Sequence, residues 1–448
     1  MKIKSIKIIS LLLILIVMFC SSFFTVGAIS YPNDVKTESD SIFLVNMDSG
    51  QTVFEKNADE KRYPASTTKI MTYIIVVENI DDLDNTRVPI KESVLKRLEG
   101  TGSSLANLEQ HIGETMSVID LLYSMMVPSG NDASVVLADY VGNGDIDAFV
   151  DMMNQKAEEL GCENTHFENP EGLHDENHYT TARDLYKITS YALTLPRFSE
   201  ITNTTSYYCE GDDYPLVTTN YLINPNYPEY YYMYAKGIKT GTTDQAGRCL
   251  VTTATADGYS YMAVLLHAPY EEGVSEEYGT MTDAANLFRW ALTQLEFETV
   301  ATSSTPICEQ KIELAWGRDS VLIVPEKDFS AIVPKDLEDD QIVIETDVPE
   351  SIDAPVDTKT VVGTATIYYK NSDGEKQEIT KVNLVPDENI EMSGILFVFR
   401  VIGTIFKSYW FLVIIGIIII ILLCSFISSK ISKKRSKDKR QVKRYRNF

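Results

Sequence analysis

The chain has 448 residues, 44% of them apolar, and a formal charge of −24 at pH 7. That length supports an ample core and more than one domain. So acidic a protein is ill suited to gripping nucleic acid by charge, and five histidines without an HExxH pattern give a zinc site little support.

Residues 1–28 read as an export signal. Lys2, Lys4 and Lys7 form its charged start, Ile8 to Phe24 its apolar centre, and Val26-Gly27-Ala28 a small-residue cleavage site, predicting cleavage after Ala28. Phe19 is too bulky to precede a lipoprotein cysteine at Cys20. Residues 29–300 then read as one large mixed α/β domain. Ile42 to Asn46 and Thr52 to Phe54 are expected strands joined by a turn at Ser49-Gly50.

Tyr63-Pro64-Ala65-Ser66-Thr67-Thr68-Lys69 follows. Pro64 suits a helix entrance, and the apolar run Ile70 to Val77 predicts a helix buried on every side. Ser66 is expected in its first turn, where free N–H groups and the dipole favour developing negative charge. Lys69, three residues on, returns to the same face, which makes Ser66 a candidate activated nucleophile. The S-x-x-K pattern alone is weak, since roughly one or two chance matches are expected in a chain this long. Three occur: Ser66–Lys69, Ser93–Lys96 in a charged run, and Ser436–Lys439 in a basic tail. Only the first precedes an apolar helix.

Gly100-Thr101-Gly102-Ser103-Ser104 is a loop that either rims a cleft or merely connects elements. Helices are expected over Asp120 to Met126 and Asp132 to Val141. Between them, Ser129 and Asn131 either belong to an ordinary capped turn or point a hydroxyl and an amide into the cleft of Ser66. Asn169 to His174 reads as a loop, and Thr180 to Leu185 starts another helix. Cys249 to Ala256 and Tyr259 to His267 form a hairpin around Asp257-Gly258, which puts Lys239-Thr240-Gly241-Thr242 on or beside an antiparallel sheet. Without a side chain, Gly241 lets another backbone approach, so the strand can hold an extended peptide.

Residues 305–390 alternate strand-like runs with Pro, Asp and Gly turns and predict a small all-β domain, a spacer without a catalytic constellation. Over 393–407 the residues Arg400, Gly403, Thr404 and Lys407 line one helix face, fitting a helix in a membrane interface; a buried core helix is the alternative. Tyr409 to Ile427 is an apolar run long enough to cross a bilayer. The basic tail over 428–448, net +9 from residue 430, is expected to stay in the cytoplasm with everything before 409 outside. Removing +9 and the signal's +3 leaves −36 on the exported part. Its cysteines, Cys162, Cys209, Cys249 and Cys308, permit disulfides but are not needed as staples at this size.

Taken together, Ser66-x-x-Lys69, Ser129-Gly130-Asn131 and Lys239-Thr240-Gly241 resemble the three motifs of penicillin-recognising serine enzymes. Pro64 to Thr72, Ser129 to Ala133, Gly172-Leu173-His174-Asp175 and Gly237 to Thr242 resemble the serine D-alanyl-D-alanine carboxypeptidases, peptidase family S11, the low-molecular-mass penicillin-binding proteins. The resemblance covers roughly residues 35–385. It implies an α/β (mixed α+β) transpeptidase-like fold with an antiparallel sheet and helices, then the small all-β domain and a C-terminal transmembrane helix. Some members have an amphipathic helix alone; the full span here is a departure. No E-x-x-L-N segment supplies the deacylating glutamate of class A β-lactamases.

By that resemblance, Ser66 attacks the penultimate D-Ala carbonyl of a peptidoglycan stem peptide ending in D-Ala-D-Ala. Lys69 takes the Ser66 proton, and Ser129 relays one to the leaving D-Ala. Asn131 orients the substrate amide and Lys69, while Lys239 and Thr240 bind the terminal carboxylate. Backbone N–H groups of Ser66 and Thr242, beside Gly241, form the oxyanion hole. β-Lactams would acylate Ser66, and neither metal nor cofactor is required. Lys69 needs its pKa lowered by about three units, or about 4 kcal/mol, to act as a base near pH 7. Burial and the charge of Lys239 are expected to supply that shift. An endopeptidase or transpeptidase shares this chemistry; the rival of another class is a β-lactam-binding receptor that signals through the span.

Overall fold

The computed structural model describes Tyr31 and residues 34–270, 278–371 and 374–444, so the expected signal at 1–28 lies outside the described residues. The chain forms two compact units, and they are not a single cut of the sequence. One comprises residues up to 300 with 330–343 and 366–380; the other comprises 301–329, 344–365 and 381 onward.

The first unit is built on five antiparallel strands: β1 (Ser41–Asn46), β2 (Thr52–Lys56), β3 (Ala235–Thr243), β4 (Gly247–Ala256) and β5 (Tyr259–Ala268), in the order β2-β1-β5-β4-β3. Asp257 and Gly258 both take positive φ, the backbone a two-residue hairpin turn between β4 and β5 demands. All six residues of β1 are buried, so this strand does not alternate between core and solvent. The reason is cover on both faces. Phe43 meets Tyr186 edge-on from helix α5 (Ala182–Ala192), whereas Phe54, cross-strand from Leu44, meets Trp290 of helix α6 (Gly279–Gln294).

The Phe43 face belongs to the main core, which includes helices α1 (Lys69–Asn79), α2 (Val118–Met126), α3 (Asn131–Val141) and α4 (Ile146–Glu159). Every residue of α1 from Lys69 to Val76 is buried. Ser66 precedes this helix rather than opening it: Ala65–Thr68 is a 3₁₀ turn. Pro64 explains the difference, because its carbonyl accepts from both the amide and the hydroxyl of Thr67, at 3.2 and 2.7 Å, closing a tighter i to i+3 ring.

Most of β6 (Leu295–Ala301) and of the strand it pairs with, Phe329–Pro334, lies in this unit. The second unit has Cys308–Glu313 antiparallel to Ser320–Pro325 and parallel to Ser351–Asp353, and Ser320–Pro325 also pairs with the end of Lys376–Pro386. Two helices follow. α7 (Gly394–Lys407) is capped by Ser393 and has no buried residue. α8 (Tyr409–Arg444) contains a stretch, Tyr409–Lys433, long and apolar enough to cross a membrane.

Candidate active site

The buried amine of Lys69 is the centre of a hydrogen-bonded cluster. Its Nζ donates to Ser66 Oγ at 2.8 Å, to Asn131 Oδ1 at 2.6 Å and to the Glu171 carbonyl at 2.7 Å. With Lys69 0% exposed, burial is the dominant cause that lowers its pKa to about 7; the carboxyl groups of Glu171 and Asp132 pull the other way. The 3₁₀ turn puts Ser66 on the same side as that amine, so proton transfer between them needs no rearrangement. Ser93 and Lys96, the second S-x-x-K pair, are exposed, and Lys96 is bonded to Glu92 at 2.9 Å.

Ser129 has a left-handed backbone, φ +68, in the connection between α2 and α3. Asp132 anchors this connection to the preceding loop: its carboxylate accepts from the amides of Ala106, Leu108 and Ala133 at 2.9 to 3.0 Å. The Asn131 amide donates to the Ser104 carbonyl at 2.8 Å. The glycine-serine loop therefore does rim the site. Asn131 directs its side-chain carbonyl onto Lys69.

Strand β3 lies at the sheet edge, against the turn that holds Ser66. A methyl at Gly241 would meet the Pro64 carbonyl oxygen at 2.9 Å and the Ser66 amide nitrogen at 3.0 Å, so only glycine permits this approach. Lys239 is 1% exposed and donates to its neighbour's carbonyl, Thr240 O, at 2.9 Å. Burial and the charge of Lys69 push its pKa well below the ordinary lysine value. Thr240, bonded to Thr219, faces the opening.

That opening is a cleft of about 370 Å³ whose lining includes Ser66, Ser104, Ser129, Thr240, Thr242 and Arg248. Among the described residues, Arg248 is the charged side chain in the lining, its guanidinium 3.8 Å from the ring of Tyr278 and 4.9 Å from that of Tyr270. Neither Arg248 nor the tyrosine wall was expected from the sequence. A lone arginine opening an otherwise apolar strand, Gly247-Arg248-Cys249-Leu250-Val251, was the available signal.

Loop 165–178 closes the back of the site. Gly172, φ +90, has no room for a side chain: a methyl there would overlap the Ala65 carbonyl. His178 ties the loop to the turn, with Nε2 2.8 Å from Thr68 Oγ1 and Nδ1 accepting from the Glu168 amide at 3.1 Å. That acceptance puts the proton on Nε2, so the imidazole donates to Thr68.

Residues 28–270 match the family described as D-alanyl-D-alanine carboxypeptidase, and 303–392 match the C-terminal domain of penicillin-binding protein 5. The D-alanyl-D-alanine carboxypeptidase DacF of Bacillus subtilis is 29% identical over 376 residues, 83% of this chain and 91% of that protein. The crystal structure of the D-alanyl-D-alanine carboxypeptidase DacD from Francisella tularensis superposes with a TM-score of 0.63 at 27% identity, over 82% of this chain and 97% of that one. The Streptomyces K15 DD-transpeptidase gives 0.51 at 29% identity, over 58% of this chain and 98% of that one.

Proposed function

Since the chain belongs to the D-alanyl-D-alanine carboxypeptidase family and has its penicillin-binding DD-peptidase fold, we propose that it removes the terminal D-alanine from peptidoglycan stem pentapeptides through an acyl-enzyme on Ser66. The observation that carries this reading is the 2.8 Å bond between Ser66 Oγ and a buried Lys69 whose pKa is lowered to about 7. Lys69 is thus a free base in a substantial fraction of molecules at neutral pH.

Ser66 Oγ bonds to the carbonyl carbon of the penultimate D-Ala, and its proton passes to Lys69. The developing oxyanion is held by the amides of Ser66 and Thr242. Collapse breaks the peptide C–N bond, and D-Ala leaves with a proton relayed through Ser129. Water then hydrolyses the ester and restores Ser66. Asn131 fixes Lys69, and the edge strand at Gly241 pairs with the extended peptide. Lys239, Thr240 and Arg248 take the substrate carboxylate. β-Lactams would follow the same acylation and stop at the ester. The body works outside the membrane, held by α8 with the basic tail in the cytoplasm, and serves cell-wall maturation.

The purified full chain is expected to release D-Ala from diacetyl-Lys-D-Ala-D-Ala and to be labelled by fluorescent penicillin, with peptide mapping to Ser66. Absence of label, or equal label on Ser66→Ala, rejects the proposal. Similarity to a DD-transpeptidase favours a second reading, acyl transfer to an amine. Incubation with muropeptide dimers and D-amino-acid acceptors separates it from hydrolysis.

A further inference from the structure

Glu171 is a buried acid with no part in the mechanism above. Its loop is fixed on the nucleophile's turn at two points, by the Gly172 backbone against Ala65 and by the bond from Lys69 to the Glu171 carbonyl. The side chain is 6% exposed, and its Oε2 is buried with no hydrogen-bond partner among the described residues. Burial disfavours its charged form and holds the Glu171 carboxyl above the usual carboxylate range, while the charge of Lys69 pulls it back toward ionisation. The charges facing Glu171 are Lys69 on α1 and Arg97 in the turn Lys96–Leu98. Those acting on Lys69 are Glu171 and Asp132, and Lys239 feels Lys69 from β3. The two acids differ in one respect: the carboxylate of Asp132 is already occupied by three backbone amides, whereas Glu171 keeps an oxygen uncommitted.

We propose that Glu171 is a positioning residue for proton transfer: its buried carboxyl group, carried on the residue whose carbonyl Lys69 bonds, ionises to balance the ammonium formed when Lys69 takes the Ser66 proton. It thereby sets the pH range in which the nucleophile works. The inference rests on Ser66 and Lys69 acting as described. In a low-dielectric pocket an anion favours the charged amine, so it stabilises the state after proton transfer more than the state before it. Without it, Lys69 becomes a weaker base, active from lower pH but slower at its plateau.

The test is the pH profile of the second-order acylation rate by a fluorescent penicillin, and of kcat/KM for D-Ala release, on the full chain. Wild type is compared with Glu171→Gln and Glu171→Ala, two charge-free variants that keep the backbone carbonyl. Both are expected to show an acid limb about one pH unit lower than wild type and a plateau about tenfold lower. Glu171→Asp, which keeps the charge, should hold the limb near the wild-type position. A lower plateau with an unmoved limb overturns the inference, because a merely structural residue would give that result. Failure of both charge-free variants to fold also overturns it. If wild type is not acylated at Ser66, the catalytic reading itself falls, which is a separate outcome from an unmoved limb.

Discussion

Gly241 shows how closely Ser66 is enclosed. Its φ is unexceptional, so the need for glycine is one of space: Pro64 O, Ser66 N and Ala65 Cβ stand 2.9, 3.0 and 3.1 Å from where a methyl would be. Two of these neighbours are backbone atoms of the turn that aims Ser66, and neither can rotate away. Gly241→Ala is therefore expected to push β3 and the Ser66 turn apart by a few tenths of an ångström. The cost in stability should be about 1–3 kcal/mol, as for other overpacked sites. The cost in penicillin acylation should be larger, on the order of a hundredfold, because geometry at the reacting atoms is altered directly. Acylation kinetics beside a thermal melt of the same protein check this; a melt shift with an unchanged acylation rate would contradict it. Ser66, Lys69, Ser129 and Lys239 stood out as expectations because each motif carries its own spacing and local context; the structure bonds Ser66 to Lys69 and puts Ser129 in the same cleft lining as Ser66. Glu171 and Arg248 were not: 102 residues separate Lys69 from Glu171, and nothing local to a glutamate reports that it will be buried beside a lysine.

At the scale of elements, the loop 165–178 holds the 3₁₀ turn through His178. This histidine is buried, and burial lowers its pKa to about 3. An unfolded-state histidine titrates near 6.5, so below that pH the unfolded chain binds a proton that the folded chain refuses. The neutral ring's contribution is complete above about pH 6.5 and is lost as pH falls from there toward 3. Between pH 7.5 and 5.0 this one group should remove about 2 kcal/mol of stability. His178→Gln can keep the bond to Thr68 and the acceptor for the Glu168 amide but cannot titrate. Urea unfolding at both pH values should show a difference between wild type and variant that shrinks by that amount at pH 5.0; an unchanged difference would refute the role given to His178. The element types were readable where turn chemistry was explicit, as in the Asp257-Gly258 hairpin. The 3₁₀ turn was missed because Pro64 reads as a helix entrance, and nothing in the motif says that its carbonyl will bind Thr67 twice. Neither could periodicity show that β1 is buried on both faces, since that depends on α5 and α6, more than a hundred residues away.

For the whole molecule, the sequence separates a body from an apolar end, and the residues of that end have different physical demands. The stretch Tyr409–Lys433 has no share of its apolar window buried in protein. About 20 helical residues rising 1.5 Å each span the roughly 30 Å of a hydrocarbon core, and this stretch has 25. Left in water, its run of isoleucines and leucines would expose apolar surface far beyond that of an ordinary helix. The preceding helix α7 is separated from it by Ser408, whose extended backbone breaks the two apart. It carries only Arg400 and Lys407 as cations, too few for strong attraction to anionic lipid. Arg400 is already bonded to Asp353 and lies 3.6 Å from Glu313. Attachment should therefore depend on α8. The full chain is expected in the membrane fraction after alkaline carbonate washing and to leave it only with detergent, whereas a chain ending at Ser408 should be released by carbonate. Protease added to intact cells stripped of wall should digest the penicillin-labelled body of the full chain. Recovery of the full chain in the carbonate supernatant would reject the anchor, and a protected body would reverse the proposed orientation while leaving the chemistry at Ser66 untouched.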